Sequence, residues 1–276
     1  MRCRAGSGCQ RTLSVTATIL TQVTLSYDSN GDGPALVLLH SSVCDRGMWD
    51  PQVPTLYDAG YQVVRCDFRG FGDSPVANQP YSDAADVCDL LDYLNLECAA
   101  LIGSSHGGEV ALEVAAQRPR QVPALVLLCS AIPGHVPGPE LRAFTERKTA
   151  LLAANDISGA VDLSITTWLG SDASAEVSEN VRRMQRRAFE MQTSARFDSV
   201  SEPVELTRIT ASCLTISGAH DLLDFREIAA DMPKRIAGAR HLELPWASHF
   251  PSLERPAAVM DLLRDFLNEE YPTRRN

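Results

Sequence analysis

Ser105 stands at the centre of Gly103-Ser104-Ser105-His106-Gly107, a G-x-S-x-G string that follows a short apolar run and precedes Gly108 and an alanine-rich segment. A serine hydroxyl is a poor nucleophile. It becomes useful when a sharp turn between strand and helix holds it exposed, with a histidine in reach and backbone N–H groups facing the developing oxyanion. Residues 98 to 102 read as the strand and residues 109 to 117 as the helix, with the glycines at 103 and 107 permitting close approach. A nucleophile of this kind needs a base, and the base needs an acid to orient it. Two later segments end in suitable residues: Gly218-Ala219-His220-Asp221 after an apolar run at 213 to 217, and Trp246-Ala247-Ser248-His249 after one at 242 to 245. In a parallel sheet both loops leave the C-terminal edge that presents Ser105. Asp224 is a second candidate acid, farther from its strand end, and His220 and His241 read as structural or surface residues.

The elements that would position these groups follow an alternating rhythm. Buried strands are expected at 35 to 39, 61 to 66, 98 to 102, 124 to 129, 212 to 217 and 241 to 245, with helices between several of them, the pattern of parallel βαβ units. An alternating segment at 21 to 27 and the turn residues from Asp28 to Pro34 suggest a first strand and hairpin. Asp50 is placed to cap a helix that has Pro51 at its first position. A Pro/Gly cluster from Pro133 to Pro139 interrupts the rhythm, and three helices without strands are expected at 140 to 154, 157 to 169 and 175 to 194. The expected organisation is an α/β core of residues 21–132 and 202–276, a helical lid inserted at 133–201, and a disordered leader at 1–20.

These motifs occur in one order over most of the chain: Leu38-Leu39-His40, Trp49, Asp67-x-Arg69-Gly70-x-Gly72-x-Ser74, Gly103-x-Ser105-x-Gly107-Gly108, Gly218-x-x-Asp221 and His249-Phe250-Pro251-x-Leu253-Glu254-x-Pro256. In this the sequence resembles the lid-bearing serine hydrolases of the α/β-hydrolase fold, with 3-oxoadipate enol-lactonases and small esterases the most similar members. The resemblance implies a mostly parallel central sheet with helices on both faces. It implies Ser105 as nucleophile, His249 as general acid and base, and Asp221 as its carboxylate partner, with the backbone N–H groups of His106 and Ser42 as the oxyanion hole. The family pattern has His-Gly where this chain has His40-Ser41, so Ser41 is the alternative second donor and a candidate for partly filling the entrance. Asp67, Arg69 and Asp73 read as a loop held by its own ion pairs. Trp49, Trp168 and Trp246, with Ser41, are candidate pocket residues, and Phe144, Phe189, Met184 and Met191 suggest an apolar chamber or the lid's own core.

The chemistry implied is cleavage of a carboxylic ester or lactone of a small, largely apolar molecule through an acyl-enzyme. Members that open epoxides or displace halide carry aspartate at the turn, and Ser105 counts against both activities. Carbon–carbon bond hydrolysis and cofactor-free perhydrolysis use the same three residues and stay open, as does a non-enzymatic ligand-binding role on this fold. The chain has 276 residues, 45% hydrophobic and 22% charged, and a net charge of -10 that disfavours nucleic acid and anionic membranes as partners. Eight scattered cysteines without C-x-x-C spacing read as reduced thiols, and six dispersed histidines offer no metal-ligand spacing. No metal, cofactor or phosphate-binding loop is expected. The expectation is a monomer or homodimer in the cytoplasm, with a small-molecule substrate. The arginines at 182, 183, 186 and 187 read as a solvated helix face.

Overall fold

A computed structural model describes residues 23–171, 173–201 and 203–273. The expected leader lies outside the described residues. Seven strands form a single sheet in the order β1-β3-β2-β4-β5-β6-β7: β1 Tyr27–Asn30, β2 Ala35–Leu39, β3 Gln62–Cys66, β4 Ala99–Ser104, β5 Ala124–Leu128, β6 Ser212–Gly218 and β7 Arg240–Leu244. β1 runs antiparallel to β3, and every other pairing is parallel.

Alternate residues of the central strands enter two different cores. Val37, Leu39, Leu101, Leu125 and Leu127 face one side, packing with α2 (Asp83–Tyr93) and α3 (His106–Gln117). Leu36, Leu38, Ile102, Val126 and Leu128 face the other, against α1 (Val53–Asp58) and α9 (Pro256–Glu270). A strand covered on both faces has no polar side to show, which is why β2 and β5 read as unbroken apolar runs. The sheet is therefore the mostly parallel, doubly covered one the sequence suggests.

Three helices lie between β5 and β6: α4 Pro139–Ala153, α5 Ile157–Trp168 and α6 Ala175–Gln192. They begin and end within two residues of the expected helices. α7 (Leu223–Arg235) follows β6, and the one-turn α8 (Pro251–Glu254) precedes α9. Among the described residues, no helix is long and apolar enough to cross a membrane.

Two local expectations are corrected. The first strand begins at Tyr27 and pairs with β3, so β1 and β2 do not form a hairpin; β3 lies between them in the sheet. Asp50 caps no α-helix. Its carboxylate pairs with Arg65, a 3-10 turn at Arg46–Trp49 is capped by Asp45, and α1 starts only at Val53.

The sheet's order places the site. From β2 the chain steps outward to β3, then returns across β2 to β4 and continues the other way. The loops after β2 and β4 thus diverge from adjacent strands, and that divergence opens a crevice at the C-terminal edge.

Candidate active site

Ser105 links β4 to α3 with φ 53° and ψ -116°, a backbone conformation a residue with a side chain adopts only when its surroundings force it. Here they do. A β-carbon at Gly103 would overlap Gly107 O, and one at Gly107 would overlap Leu39 O, so helix α3 can start this close to β4 and β2 only with glycine at both positions.

The triad candidates meet around this turn. His249 Nε2 lies 2.9 Å from Ser105 Oγ and Nδ1 lies 2.7 Å from Asp221 Oδ2. The serine hydroxyl donates to Nε2, and Nδ1–H donates to the carboxylate, whose other oxygen accepts from Leu222 N at 2.7 Å. His249 and Asp221 are almost entirely removed from solvent. The His249 ring is boxed in by Trp168, Phe225 and Phe250, with centroids at 4.5, 4.3 and 4.9 Å. Its loop is tied down by Glu254, which accepts from Ser248 N at 2.9 Å, from Phe250 N at 3.4 Å and from Gly170 N at 3.2 Å. Burial pushes the Glu254 carboxyl above the usual carboxylate range, with the three N–H groups pulling the other way. Asp224 is not near His249's carboxylate partner role: it accepts from Gly138 N at 2.6 Å and bonds His135 Nε2 at 2.7 Å. His241 Nε2 bonds Ser217 Oγ at 2.9 Å, consistent with a structural part.

The two oxyanion candidates differ in what their N–H groups already do. Ser41 is buried; its N–H points at Met48 Sδ at 3.3 Å and its hydroxyl accepts from Val43 N at 3.2 Å. The N–H groups of Ser42 and His106 have no acceptor among the described residues, and both residues line the cavity over Ser105. His40 holds the base of the loop, its Nε2 accepting from Phe68 N at 2.9 Å, and burial lowers its pKa.

His106 supplies more than backbone. Its imidazole lies 3.1 Å from the buried Asp83 and 3.5 Å from Glu109. Burial pulls the imidazolium pKa down, but the hydrogen bonds and charges of those carboxylates outweigh it and push it up to about 10. It is cationic at neutral pH.

The cavity has a volume of about 290 Å³. Its floor is Ser105, His249, Ser42 and His106, and its far wall comes from α4, α5 and α6 through Phe144, Lys148, Trp168, Gln185 and Phe189 among others. Of the pocket candidates, only Trp168 lines it. Trp49 is wholly buried in the core because the 3-10 turn tucks it inward. Trp246 lies outside the cavity, under the Arg255 guanidinium at 4.7 Å, and Ser41 is buried and does not line it. Met184 belongs to the core as well. Lys148, Gln185, Thr145, Ser164 and Gln192, not among the sequence candidates, also line the cavity and make this wall mixed instead of largely apolar. A signal existed: Val181, Gln185 and Phe189 fall on one helical row, so a glutamine sits on a buried face.

The loop residues do not pair with one another as ions: apart from one internal backbone bond, their ion pairs reach out to other elements. Asp67 binds Arg46 and accepts from Asp73 N at 2.9 Å, Arg69 grips Asp86 with two bonds of 2.6 Å, and Asp73 meets Arg187 of α6 at 2.7 Å. Among the described residues, one group could hold a metal ion: Cys129, Asp221 and His249 offer ligand atoms within 4.8 Å of one another. Two of these three already bond each other.

Fold and site together define a hydrolase of the α/β type. Residues 36–262 match the Alpha/beta hydrolase family, and the chain belongs to it. A hydrolase from Pseudomonas aeruginosa PA01 superposes with a TM-score of 0.72 at 31% identity, covering 88% of this chain and 94% of that one. The enol-lactonase from Burkholderia xenovorans LB400 gives 0.71 at 28% identity, covering 88% and 96%. In sequence, 3-oxoadipate enol-lactonase 1 of Acinetobacter baylyi is 26% identical over 259 residues, 88% of this chain and 93% of that protein. The chain is an enzyme, related to esterases and lactonases.

Proposed function

We propose that this enzyme hydrolyses the carboxylic ester or lactone bond of a small molecule, with Ser105, His249 and Asp221 as its catalytic triad. The observation that carries the proposal is the continuous relay from Ser105 Oγ through His249 to Asp221, at 2.9 and 2.7 Å, at the floor of a partly open cavity. Ser105 Oγ attacks the acyl carbon while His249 Nε2 takes the hydroxyl proton, and the N–H groups of His106 and Ser42 receive the oxyanion. The intermediate collapses, the alkoxide leaves with the proton from His249, and the acyl group stays on Ser105. Water then attacks with His249 as base and releases the acid. Asp221 keeps Nδ1 protonated and stabilises the imidazolium. Loss of one oxyanion donor would cost about 10² to 10³ in rate.

The relatives named as lactonases support the lactone arm. The free thiols of Cys44, Cys66, Cys88, Cys98, Cys129 and Cys213 support a reducing, cytoplasmic setting, where the enzyme would act as a monomer or homodimer on a freely diffusing substrate. A panel of p-nitrophenyl esters and simple lactones, assayed with the wild type and Ser105→Ala, tests the proposal. Turnover in the wild type that falls by several orders of magnitude in the variant is expected. Turnover of neither class, with cleavage of a carbon–carbon bond next to a ketone instead, would contradict it.

A further inference from the structure

The wall of the cavity opposite Ser105 carries donors that have no hydrogen-bond acceptor among the described residues. Lys148, on α4, lines the cavity beside Phe144, whose ring its ammonium faces at 5.4 Å. It makes no hydrogen bond or ion pair with any described residue, although this is a chain rich in carboxylates. Gln185, on α6, is 98% buried and lines the same cavity, and its side chain also has no hydrogen-bond partner among the described residues. Trp168 Nε1, on α5, is buried and unpaired too. An unpaired polar side chain on a residue as buried as Gln185 is costly, and together with the unpaired, partly exposed ammonium of Lys148 lining the same cavity it points to an acceptor that arrives with the ligand. The nearest acid in the cavity, Glu109, does not fill the need, because the His106 imidazolium already lies 3.5 Å from it.

We infer that Lys148, Gln185 and Trp168 form a carboxylate-binding subsite in the helical wall, and that the preferred substrates are small esters or lactones with a carboxylate at the end remote from the scissile bond. This rests on the hydrolase reading of the same cavity. Burial lowers the Lys148 pKa, which agrees with an ammonium held ready in a partly dry place without its counter-ion. Two unlike charges meeting there make a charge-assisted hydrogen bond, and Gln185 N–H can share the carboxylate oxygens while the Trp168 ring walls the subsite. The volume of about 290 Å³ suits a small molecule spanning from Ser105 to this wall.

The test uses matched esters: p-nitrophenyl hydrogen glutarate against p-nitrophenyl valerate for the acyl side, and 4-acetoxybenzoate against 4-methylphenyl acetate for the alcohol side. The readout is the ratio of kcat/KM, charged over neutral, together with calorimetric binding of glutarate. For at least one pair the wild type should favour the carboxylate, and Lys148→Met should lower the ratio by about ten- to a hundredfold, with the loss mainly in KM. Lys148→Arg should restore most of it and Gln185→Leu should lower it less. If all neutral esters turn over and neither pair shows a carboxylate preference, or if Lys148→Met moves both members alike, the subsite is overturned and the hydrolase reading stands. Lys148-dependent glutarate binding without any ester turnover does the reverse. Neither turnover nor binding overturns both.

Discussion

His106 shows how one residue can have a main-chain and a side-chain part that serve different ends. Its N–H, at the start of α3, has no acceptor among the described residues, while its imidazolium is clamped by Asp83 and Glu109. A folded-state pKa of about 10 against an ordinary 6.5 means the pairing stabilises the fold fully below the lower value and is lost as pH rises through the upper one. Denaturant midpoints measured between about pH 7 and 10 should therefore fall more steeply for the wild type than for His106→Gln; equal slopes would contradict the pairing. Glu254 acts through His249 by holding the backbone on both sides of it. Glutamine there would set an N–H against backbone donors. Glu254→Gln is expected to lose about 1 to 3 kcal/mol of stability and to lower kcat by about ten- to a hundredfold with KM little changed. A variant with wild-type kcat would show that the loop needs no such tie. Asp221→Asn should keep the fold and lower kcat by about 10⁴, since the imidazole would lose its orienting acceptor.

At the scale of elements, the lid helices are fastened to the core unequally. Asp224 at the start of α7 is 5% exposed and receives both His135 and the N–H of Gly138, the residue before α4. Burial pushes its carboxyl up, but these bonds and the His135 charge win and hold it below its usual value, so the fastening is present above pH 3.8 and lost as pH falls through the depressed value. Asp224→Asn should speed proteolytic cleavage around residues 133 to 139 and cost about 1 to 3 kcal/mol. Arg187 and Asp73 also join lid to core, yet both are half exposed, so Arg187→Ala should cost less than about 1 kcal/mol, and less again in high salt. Cleavage rates that respond to Arg187 and not to Asp224 would reverse this ranking. Element type was easy to read in the sequence where a pattern is local: apolar runs gave strands, and the lid's helical periods gave helices within two residues of those observed. Asp50 and Trp49 were not legible in the same way. Asp50 faces an arginine on β3 that sequence proximity does not reveal, and Trp49 ends a 3-10 turn with its side chain wholly in the core.

For the whole molecule, the site is a product of topology. Ser105, Asp221 and His249 are separated by more than a hundred residues at the widest, and a parallel sheet returns each strand end to the same edge, which is why chain order and strand ends sufficed to select them. The cavity wall is another matter. It is built where three inserted helices meet the core, and which side chains face inward depends on how those helices pack, so in the sequence Lys148 looks like any surface charge and Trp246 like a wall residue. The sheet edge thus carries the proposed triad, and the inserted helices supply the far wall of the cavity above it. The measurement that tests the central claim most directly is covalent trapping with phenylmethylsulfonyl fluoride, with the adduct located by mass spectrometry in the wild type, His249→Ala and Ser105→Ala. One adduct per chain on Ser105, slow in the histidine variant, absent in the serine variant and matched by loss of ester hydrolysis, is the predicted result. An adduct on another residue, or hydrolysis that survives Ser105→Ala, would contradict the account.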